Sequence, residues 1–254
     1  MGALEHKVAI VTGGSGGIGR ATAAAFVREG ASVMLVDRVE AELRAAAEAL
    51  GASVACFAAD VSDPAATRGY VEATIARFGG IDVLFANAGI EGRVAPITEY
   101  PVEELDRVLA VNVRGPFLGI QAVAPHMAAR GGGSIVITSS VAGVIGSPGL
   151  SAYVTSKHAT IGLAKTAAIE LAPLGIRVNT VNPGPIENRM MRSIEDQASP
   201  GHGADVKAGF LGMVPMGRYG TNEEIAELAL FLASSASSYC TGAVFLADGG
   251  FVAR

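Results

Sequence analysis

The fold is decided near the N-terminus by the stretch Val8-Ala9-Ile10-Val11-Thr12-Gly13-Gly14-Ser15-Gly16-Gly17-Ile18-Gly19. Its first five residues are apolar or β-branched and predict a strand, and the Ala-rich segment that begins at Ile18 predicts a helix. Glycines lack a Cβ atom, so backbone N–H groups in this turn can approach a phosphate closely, and the N-terminus of the helix favours its negative charge. The stretch therefore predicts an anion-binding turn between a first strand and a first helix.

Short β-branched runs alternate with Ala-rich segments of helical length along the rest of the chain. Most of the runs are apolar on both faces, which is typical of parallel strands covered by helices on both sides. The pattern predicts an α/β fold in one domain over residues 1–254: a Rossmann-type, doubly wound, mainly parallel sheet of about seven strands with helices on both faces. The predicted strands are Val8–Thr12, Ser32–Asp37, Val54–Ala58, Asp82–Asn87, Ser134–Ser139, Arg177–Val181 and Ala243–Ala247.

One segment, Gly184–Gly220, fits no regular element, because it carries several Gly, Pro and Met residues. Ligands of such sheets bind at the carboxyl ends of the strands, and long loops in compact domains are usually functional. We therefore expect residues 184–220 to form an irregular lid over a substrate. The predicted helices are Ile18–Glu29, Glu40–Leu50, Pro64–Phe78, Val102–Ala129, Ala152–Leu171 and Glu223–Ala233.

An acidic residue, Asp37, ends the second predicted strand, 18 residues beyond Gly19. An acid about 20 residues after such a glycine turn accepts hydrogen bonds from the hydroxyls of an adenosine ribose. An ionised Asp37 would repel a 2′-phosphate, which favours NAD(H) over NADP(H). The neighbouring Arg38 blurs this preference, because a guanidinium can bind that phosphate. We expect the cofactor to be held here by Gly13, Ser15, Gly16, Gly17, Ile18, Gly19, Asp37 and Arg38.

The glycine turn also resembles two other motifs. A P-loop would need Lys after the last glycine, where Arg20 stands. The stretch Gly13-Gly14-Ser15-Gly16-Gly17 formally fits the G-x-S-x-G nucleophile elbow of hydrolases, with Ser15 as the nucleophile. That motif normally lies after several strands, with Asp and then His following it, whereas here it ends the first strand. A hydrolase therefore stays open only as a disfavoured alternative.

Composition excludes several other classes of protein. Of the 254 residues, 50% are hydrophobic and 17% charged, which rules out a disordered chain. The net charge of −5, without a block of Lys and Arg, predicts no nucleic-acid partner. The two cysteines cannot form a disulfide framework. The N-terminus lacks a signal-peptide pattern, and apolar runs are interrupted before the roughly 18 residues of a membrane span, so we expect a cytoplasmic protein that binds no membrane.

Tyr153 and Lys157 lie four residues apart on a predicted helix and so share a face. A tyrosine with its ordinary pKa of about 10 is a poor base at neutral pH. A nearby ammonium favours the phenolate, so such a pair can exchange a proton with an alcohol or carbonyl oxygen. The pair alone is weak evidence, because many exposed helices carry Tyr and Lys at this spacing.

Together, the motifs of the chain indicate a protein family much more specifically than the Tyr–Lys pair does alone. In chain order they are Thr12-Gly13-x-x-x-Gly17-x-Gly19, Asp60-Val61, Asn87-Ala88-Gly89, Asn112, Ser139-Ser140, Tyr153-x-x-x-Lys157 and Pro183-Gly184. With the closing Asp248-Gly249-Gly250, this set resembles the short-chain dehydrogenase/reductase family over essentially the whole chain. The resemblance implies an oxidoreductase that interconverts a secondary alcohol and a ketone by hydride transfer with a nicotinamide cofactor.

The resemblance also implies residue roles. Tyr153 would be the general acid/base, and Lys157 would lower the pKa of Tyr153 and bind the nicotinamide ribose. Ser140 would orient the substrate oxygen, and Asn112 would hold a water that connects Lys157 to solvent. Further cofactor contacts are implied for Asp60, Val61, Asn87, Ala88, Gly89, Pro183, Gly184, Ile186 and Asn188, the last standing where the family often has Thr.

The sequence says less about the substrate and the partners than about the type of reaction. The adaptable apolar side chains of Met190, Met191, Phe210, Met213 and Met216 in the 184–220 segment favour a mainly apolar or cyclic substrate. One alternative is an NADPH-dependent 3-ketoacyl thioester reductase, which would want a basic residue in the glycine turn. Another is a non-catalytic NAD-binding sensor or scaffold, which the retained catalytic set disfavours. The resemblance implies a homotetramer, with helices 102–129 and 152–171 building one interface.

Overall fold

A single parallel sheet organises the part of the chain that the computed structural model describes, residues 2–253. Its seven strands run in the order β3-β2-β1-β4-β5-β6-β7, and every neighbouring pair is parallel. This confirms the predicted fold class. The strands are β1 Val8–Thr12, β2 Ser32–Asp37, β3 Val54–Ala58, β4 Val83–Ala86, β5 Gly133–Thr138, β6 Ile176–Pro183 and β7 Val244–Ala247.

The strand order reverses between β1 and β4, which pair directly. Chain connections leave β1 and β4 in opposite directions, so a crevice opens at the carboxyl ends of these strands. Thr12 pairs in register with Val36, and Val11 pairs with Phe85, so the first residues after β1, β2 and β4 meet at one edge. The glycine turn, Asp37 and Asn87 are thereby brought to the same crevice.

The helices cover both faces of the sheet with two separate apolar clusters. Alternate strand residues point to opposite faces, so Val11 and Leu35 pack with one cluster and Ile10 and Met34 with the other. The helices are α1 Gly17–Arg28, α2 Glu40–Leu50, α3 Pro64–Phe78, α4 Val102–Leu109, α5 Gly115–Ala129, α6 Ser151–Leu171, α7 Arg189–Ala198, α8 Gly203–Met213 and α9 Asn222–Ala233.

The predicted helix over 102–129 is interrupted. A π-helical turn, Ala110–Arg114, separates α4 from α5. Pro116 has no N–H to donate to the carbonyl of Asn112, so the regular hydrogen-bond ladder cannot continue through this point. Such turns occur frequently at functional sites, and this one carries Asn112.

The expectation that residues 184–220 form an irregular loop was wrong. The segment contains α7 and α8, and the side chain of Asn188 caps α7 by accepting a hydrogen bond from the backbone N–H of Met191 at 3.1 Å. The two ends of the segment are joined by a parallel bridge between Ile186 and Gly220. Helix α8 has no completely buried residue, and its half-buried apolar side chains include Val206, Phe210 and Met213.

One stretch of the described chain is long and apolar enough to cross a membrane by length and composition alone. It is Val102–Ala129, with a mean hydropathy of 1.2 in its most apolar window. Charged residues and glycines, among them Arg114, Gly115 and Gly119, interrupt this stretch, as expected from the sequence. Ile120, Val123 and Met127 of this stretch are buried against the sheet, as in the core helix of a globular fold.

Candidate active site

A cavity of about 850 Å³ opens at the carboxyl ends of the strands. The residues that line it include almost all of those predicted to bind the cofactor or the substrate. Asn112 and Gly19 are the two predicted catalytic or cofactor-binding residues that do not line it. The predicted residues in its lining are Gly13, Ser15, Gly16, Gly17, Ile18, Asp37, Arg38, Asp60, Val61, Asn87, Ala88, Gly89, Ser140, Tyr153, Lys157, Pro183, Gly184, Ile186 and Asn188.

The glycine turn after β1 is shaped by close backbone approaches. Gly13 has a positive φ of 66°, and a Cβ atom there would lie 2.9 Å from Nδ2 of Asn87. A Cβ atom on Gly19 would collide with the carbonyl oxygen of Gly13. Gly19 therefore supports the turn from behind, where it allows α1 to begin close to the strand.

Asp37 is tied to the glycine turn. One of its carboxylate oxygens accepts hydrogen bonds from the backbone N–H and the hydroxyl of Ser15, at 3.1 and 2.6 Å, and the other accepts one from the N–H of Arg38 at 2.7 Å. The Ser15 hydroxyl donates to a carboxylate rather than to a histidine. The arrangement suits a ribose-binding acid and differs from the Ser–His pair that activates the nucleophile of a hydrolase.

The centre of the crevice is organised by two threonines, Thr12 and Thr138, to which sequence reasoning gave no role of their own. The Thr12 hydroxyl accepts hydrogen bonds from the backbone N–H groups of Asn87 and Ala88, at 3.0 and 3.1 Å. The Thr138 hydroxyl donates to Oδ1 of Asn87 at 3.1 Å, and the Asn87 amide donates to the Thr12 carbonyl at 3.1 Å. Asn87 is therefore fixed between β1 and β5. The sequence feature that could have indicated this role is the position of both threonines at the ends of strands.

Tyr153, Ser140 and Lys157 meet in the cavity, as predicted. The Tyr153 hydroxyl faces the Ser140 side chain, which lowers its pKa, and lies 3.9 Å from Sδ of Met190. Ser140 is oriented by accepting from the N–H of Ala142 at 3.1 Å and by donating to the carbonyl of Pro183 at 3.4 Å. Nζ of Lys157 lies 5.4 Å from the centre of the Tyr153 ring.

The electrostatics of the pair differ from the sequence expectation. Burial raises the pKa of Tyr153 to about 12, although the Ser140 side chain opposes this. Burial also lowers the pKa of Lys157 to about 8. Loss of solvation therefore dominates the pKa of Tyr153 in the protein without ligands, and the lowering of this pKa by Lys157 stays a prediction. The Lys157 ammonium is instead held by the carbonyl of Thr138, to which it donates at 2.8 Å.

Asn112 lies behind the cavity wall and is almost completely buried. Its amide nitrogen donates to the carbonyl of Ile90 and to the hydroxyl of Ser156, and its oxygen accepts from the N–H of Ile90 at 2.9 Å. A Cβ atom on Gly89 would lie 3.4 Å from Oδ1 of Asn112 and 3.5 Å from Nζ of Lys157. Both amide hydrogens are in use, so a water between Asn112 and Lys157 would have to donate to Oδ1.

Residues 184–220 contribute apolar side chains to the wall of the cavity. Met190, Met191, Phe210 and Met213 line the cavity as expected, and Ile194 joins them. Met216 does not line it and is 64% exposed, so its predicted role was wrong. Ile194 packs with Tyr153 and Leu150 in a small apolar cluster, which brings α7 against α6.

The sequence of the chain matches that of a known protein family. Residues 13–252 match the family model described as enoyl-(acyl carrier protein) reductase. The chain belongs to the short-chain dehydrogenase/reductase family, whose members are oxidoreductases that bind a nicotinamide cofactor.

Three curated relatives show the range of activities among similar chains. Levodione reductase of Leifsonia aquatica is 39% identical over 252 residues, which are 97% of this chain and 94% of that protein. A 3-oxoacyl-(acyl-carrier-protein) reductase of Thermotoga maritima is 41% identical over 98% of this chain and 99% of its own. Cyclohexanol dehydrogenase of an Acinetobacter strain is 36% identical over 99% of this chain and 97% of its own.

Two solved structures superpose closely on this chain. The crystal structure of levodione reductase superposes with a TM-score of 0.97 at 39% identity and covers 99% of both chains. The NAD⁺-bound structure of xylitol dehydrogenase superposes with a TM-score of 0.94 at 39% identity and covers 97% of this chain and 99% of its own.

Proposed function

We propose that the protein interconverts a secondary alcohol and a ketone with NAD(H). The observation that carries this proposal is one continuous cavity with the Asp37 carboxylate and the glycine turn among its lining residues, together with the Tyr153–Ser140–Lys157 group. A carboxylate that accepts hydrogen bonds and a turn built mostly of glycines suit the binding of a dinucleotide. A buried hydroxyl pair next to an amine suits proton exchange with a carbinol or carbonyl oxygen.

The residues present fit a nicotinamide cofactor. The helix α1 begins at Gly17, so its free N–H groups face the turn that would take the pyrophosphate. Asp37 offers acceptors to ribose hydroxyls, and Asn87, Gly89 and Lys157 line the middle of the crevice. When bound, the cofactor supplies the acceptor or donor of the hydride.

The protein's own groups handle the proton and the substrate oxygen. The Tyr153 hydroxyl donates its proton to the carbonyl oxygen in reduction and takes it back from the alcohol in oxidation. The Ser140 hydroxyl, fixed by Ala142 and Pro183, hydrogen-bonds to the same oxygen. Lys157 binds ribose hydroxyls and places its charge beside Tyr153, and Asn112 holds the segment at Ile90 that forms the opposite wall.

NAD(H) is preferred over NADP(H) in this proposal. The support is the negative charge of Asp37 at the ribose position, with Ser15 and Gly16 rather than a basic residue in the turn. A 2′-phosphate would meet that carboxylate at close range and be repelled. The similarity to an NAD⁺-bound structure is consistent with this preference.

The substrate is mainly apolar or cyclic in this proposal. Residues 184–220, within a catalytic domain that spans 1–254, act as the substrate lid, and their Met, Phe and Ile side chains form most of its inner surface. Apolar side chains with several rotatable bonds adapt to an irregular hydrocarbon shape. The similarity to cyclohexanol dehydrogenase supports the same class of substrate.

A 3-ketoacyl thioester reductase is the second candidate, favoured by the 41% identical acyl-carrier-protein reductase. It would use NADPH and would need basic surface for an acidic carrier. The Asp37 carboxylate in the cavity counts against it.

We also propose a homotetramer in the cytoplasm. The stretch from α4 to α5 carries Val102 and Phe117, which are 64% and 50% exposed, and burial between subunits would remove this apolar surface from water. Light scattering at micromolar concentration should give about four times the mass of the chain, and a monomer would contradict the proposal.

The function is tested by a turnover screen of secondary alcohols, ketones and a 3-ketoacyl thioester with NAD(H) and NADP(H). The mechanism is tested by Tyr153→Phe, which keeps the ring and removes the hydroxyl. NADH binding should survive, and kcat should fall by roughly 10²–10⁴-fold. Activity within about threefold of the parent would remove Tyr153 from the mechanism. No turnover of any substrate by the parent, with NADH bound, would favour the sensor alternative.

A further inference from the structure

The C-terminal segment Gly249–Val252, here called the C-terminal hook, reaches the same cavity. Phe251 and Val252 line it together with the lid residues Phe210 and Met213. Sequence reasoning gave this segment no role beyond its likeness to the end of a family sheet. The hook follows β7, so its position depends on how the chain turns after Ala247.

The turn into the hook is wound around the side chain of Asp248. One carboxylate oxygen accepts from the N–H of Gly250 at 3.0 Å, and the other accepts from the N–H of Val252 at 2.9 Å. Gly249 and Gly250 have positive φ values of 62° and 89°, which side-chain-bearing residues rarely adopt. The carboxylate and the two glycines therefore hold Phe251 and Val252 in one conformation.

The hook packs against the end of the lid. The N–H of Met216 donates to the carbonyl of Gly249 at 3.1 Å. A Cβ atom on Gly249 would lie 2.7 Å from Cγ1 of Val214, and one on Gly250 would lie 3.0 Å from Cγ of Pro215. Val214 directly follows α8, whose last residue, Met213, lines the cavity. The hook is thereby held beside the apolar wall.

The same turn touches the end of β6. A Cβ atom on Gly184 would lie 2.7 Å from Cα of Asp248, so the two backbones are in direct contact. Pro183, next to Gly184, accepts the hydrogen bond from Ser140. The hook therefore joins the cavity on the side of the Tyr153–Ser140 pair, where the substrate oxygen is expected.

We propose that Phe251 and Val252 form a substrate-specificity wall, and that Asp248 is the positioning residue that holds it. The inference rests on the proposed function and deepens it. The wall takes the hydrocarbon part of a cyclic secondary alcohol or ketone whose oxygen lies between Tyr153 and Ser140. The ring of Phe251 limits the size of that hydrocarbon part, because interior packing leaves little spare room.

The test compares two substrates of different bulk, cyclohexanol and 4-tert-butylcyclohexanol, in the full-length enzyme with NAD⁺. Phe251→Ala removes the ring and should raise the ratio of kcat/KM for the bulky over the compact alcohol by about tenfold or more. Phe251→Trp should lower the same ratio. NADH affinity should stay within about threefold of the parent in both variants, since the hook is proposed to contact the substrate.

Asp248→Asn separates positioning from general destabilisation. It keeps one oxygen acceptor, so one of the two backbone hydrogen bonds is lost and the wall loosens. The KM for cyclohexanol should rise by about tenfold with kcat changed less, because the substrate is held more loosely while Tyr153 and Ser140 are untouched. Asp248→Glu keeps both oxygens and should recover part of the affinity.

Phe231→Ala is the matched control, since Phe231 packs on Phe245 and does not line the cavity. It should leave the ratio of the two alcohols unchanged. If Phe251→Ala fails to fold, Phe251→Leu carries the same test. If the parent oxidises these alcohols and every Phe251 variant keeps the parent's ratio of kcat/KM, the proposed role of the C-terminal hook is wrong and the proposed function stands. A parent without turnover of any alcohol would overturn the proposed function and the hook with it.

Discussion

Replacing Lys157 by Met should stabilise the fold at neutral pH and abolish the proposed activity. The side chain is 3% exposed, and burial lowers its pKa from 10.5 to about 8. At pH 7 the folded protein therefore carries an ammonium in a site that disfavours charge. A Met side chain has similar length and no charge, so it removes that cost.

The size of the effect follows from linkage between protonation and folding. Because the pKa is lower in the folded state, the unfolded chain binds more protons between pH 8 and 10.5, and the stability of the parent rises with pH over that window. Integration gives a penalty of about 3 kcal/mol at pH 7 and about 1 kcal/mol at pH 9.5. Loss of the hydrogen bond to Thr138 costs the variant about 1–3 kcal/mol at both pH values. The stability of the variant relative to the parent should therefore fall by about 2 kcal/mol from pH 7 to pH 9.5.

Urea denaturation of parent and variant at these two pH values measures the difference. Lys165→Met is the matched control, because Lys165 is an exposed residue of the same helix, α6. Its stability relative to the parent should change little between the two pH values. A Lys157→Met difference that is equal at both pH values, or that grows toward pH 9.5, would refute burial as the cause of the low pKa.

Three further predictions concern the cofactor and the substrate oxygen. Asp37→Ala removes a charged acceptor from the ribose position, so the preference for NADH over NADPH in kcat/KM should fall by about tenfold or more, and an unaltered preference would contradict its role. Ser140→Ala should lower kcat by about 10²-fold with NADH affinity retained, and an unchanged kcat would exclude a contact with the substrate oxygen. Gly19→Ala introduces a Cβ atom that collides with Gly13, so NADH affinity in a fluorescence titration should weaken by about tenfold or more, whereas Gly162→Ala, where the Cβ has open space, should bind normally. Equal affinity of the two glycine variants would show that the turn does not depend on this contact.

Local signals in the sequence predicted the sheet and the phosphate turn. The bounds of β1, β2 and β3 agree with prediction to the residue, because apolar runs between Gly, Asp and Pro punctuation are decided by nearby residues. The cavity lining was predicted well for the same reason, since strand ends can be located from the sequence and meet at one edge of a parallel sheet.

Features that depend on tertiary packing escaped prediction. The sequence implied a cofactor contact for Asn188 but not that its side-chain oxygen caps α7, because a cap followed by a polar, Met-containing segment gives little apolar periodicity. The position of Phe251 and Val252 depends on contacts with Val214 and Pro215, more than thirty residues earlier in the chain. Such contacts leave no periodic pattern in a single sequence.

The proton chemistry of the site shows why spacing alone is insufficient. Four-residue spacing predicted that Tyr153 and Lys157 share a helix face, and both line the cavity. Spacing carries no information on solvation, and burial acts on the two groups in opposite directions, raising the pKa of Tyr153 and lowering that of Lys157. The charged form of each group is thereby disfavoured, so Tyr153 retains its proton at neutral pH in the protein without ligands, while Lys157, with a pKa of about 8, stays mostly protonated. A positive charge brought into the cavity would lower the pKa of Tyr153.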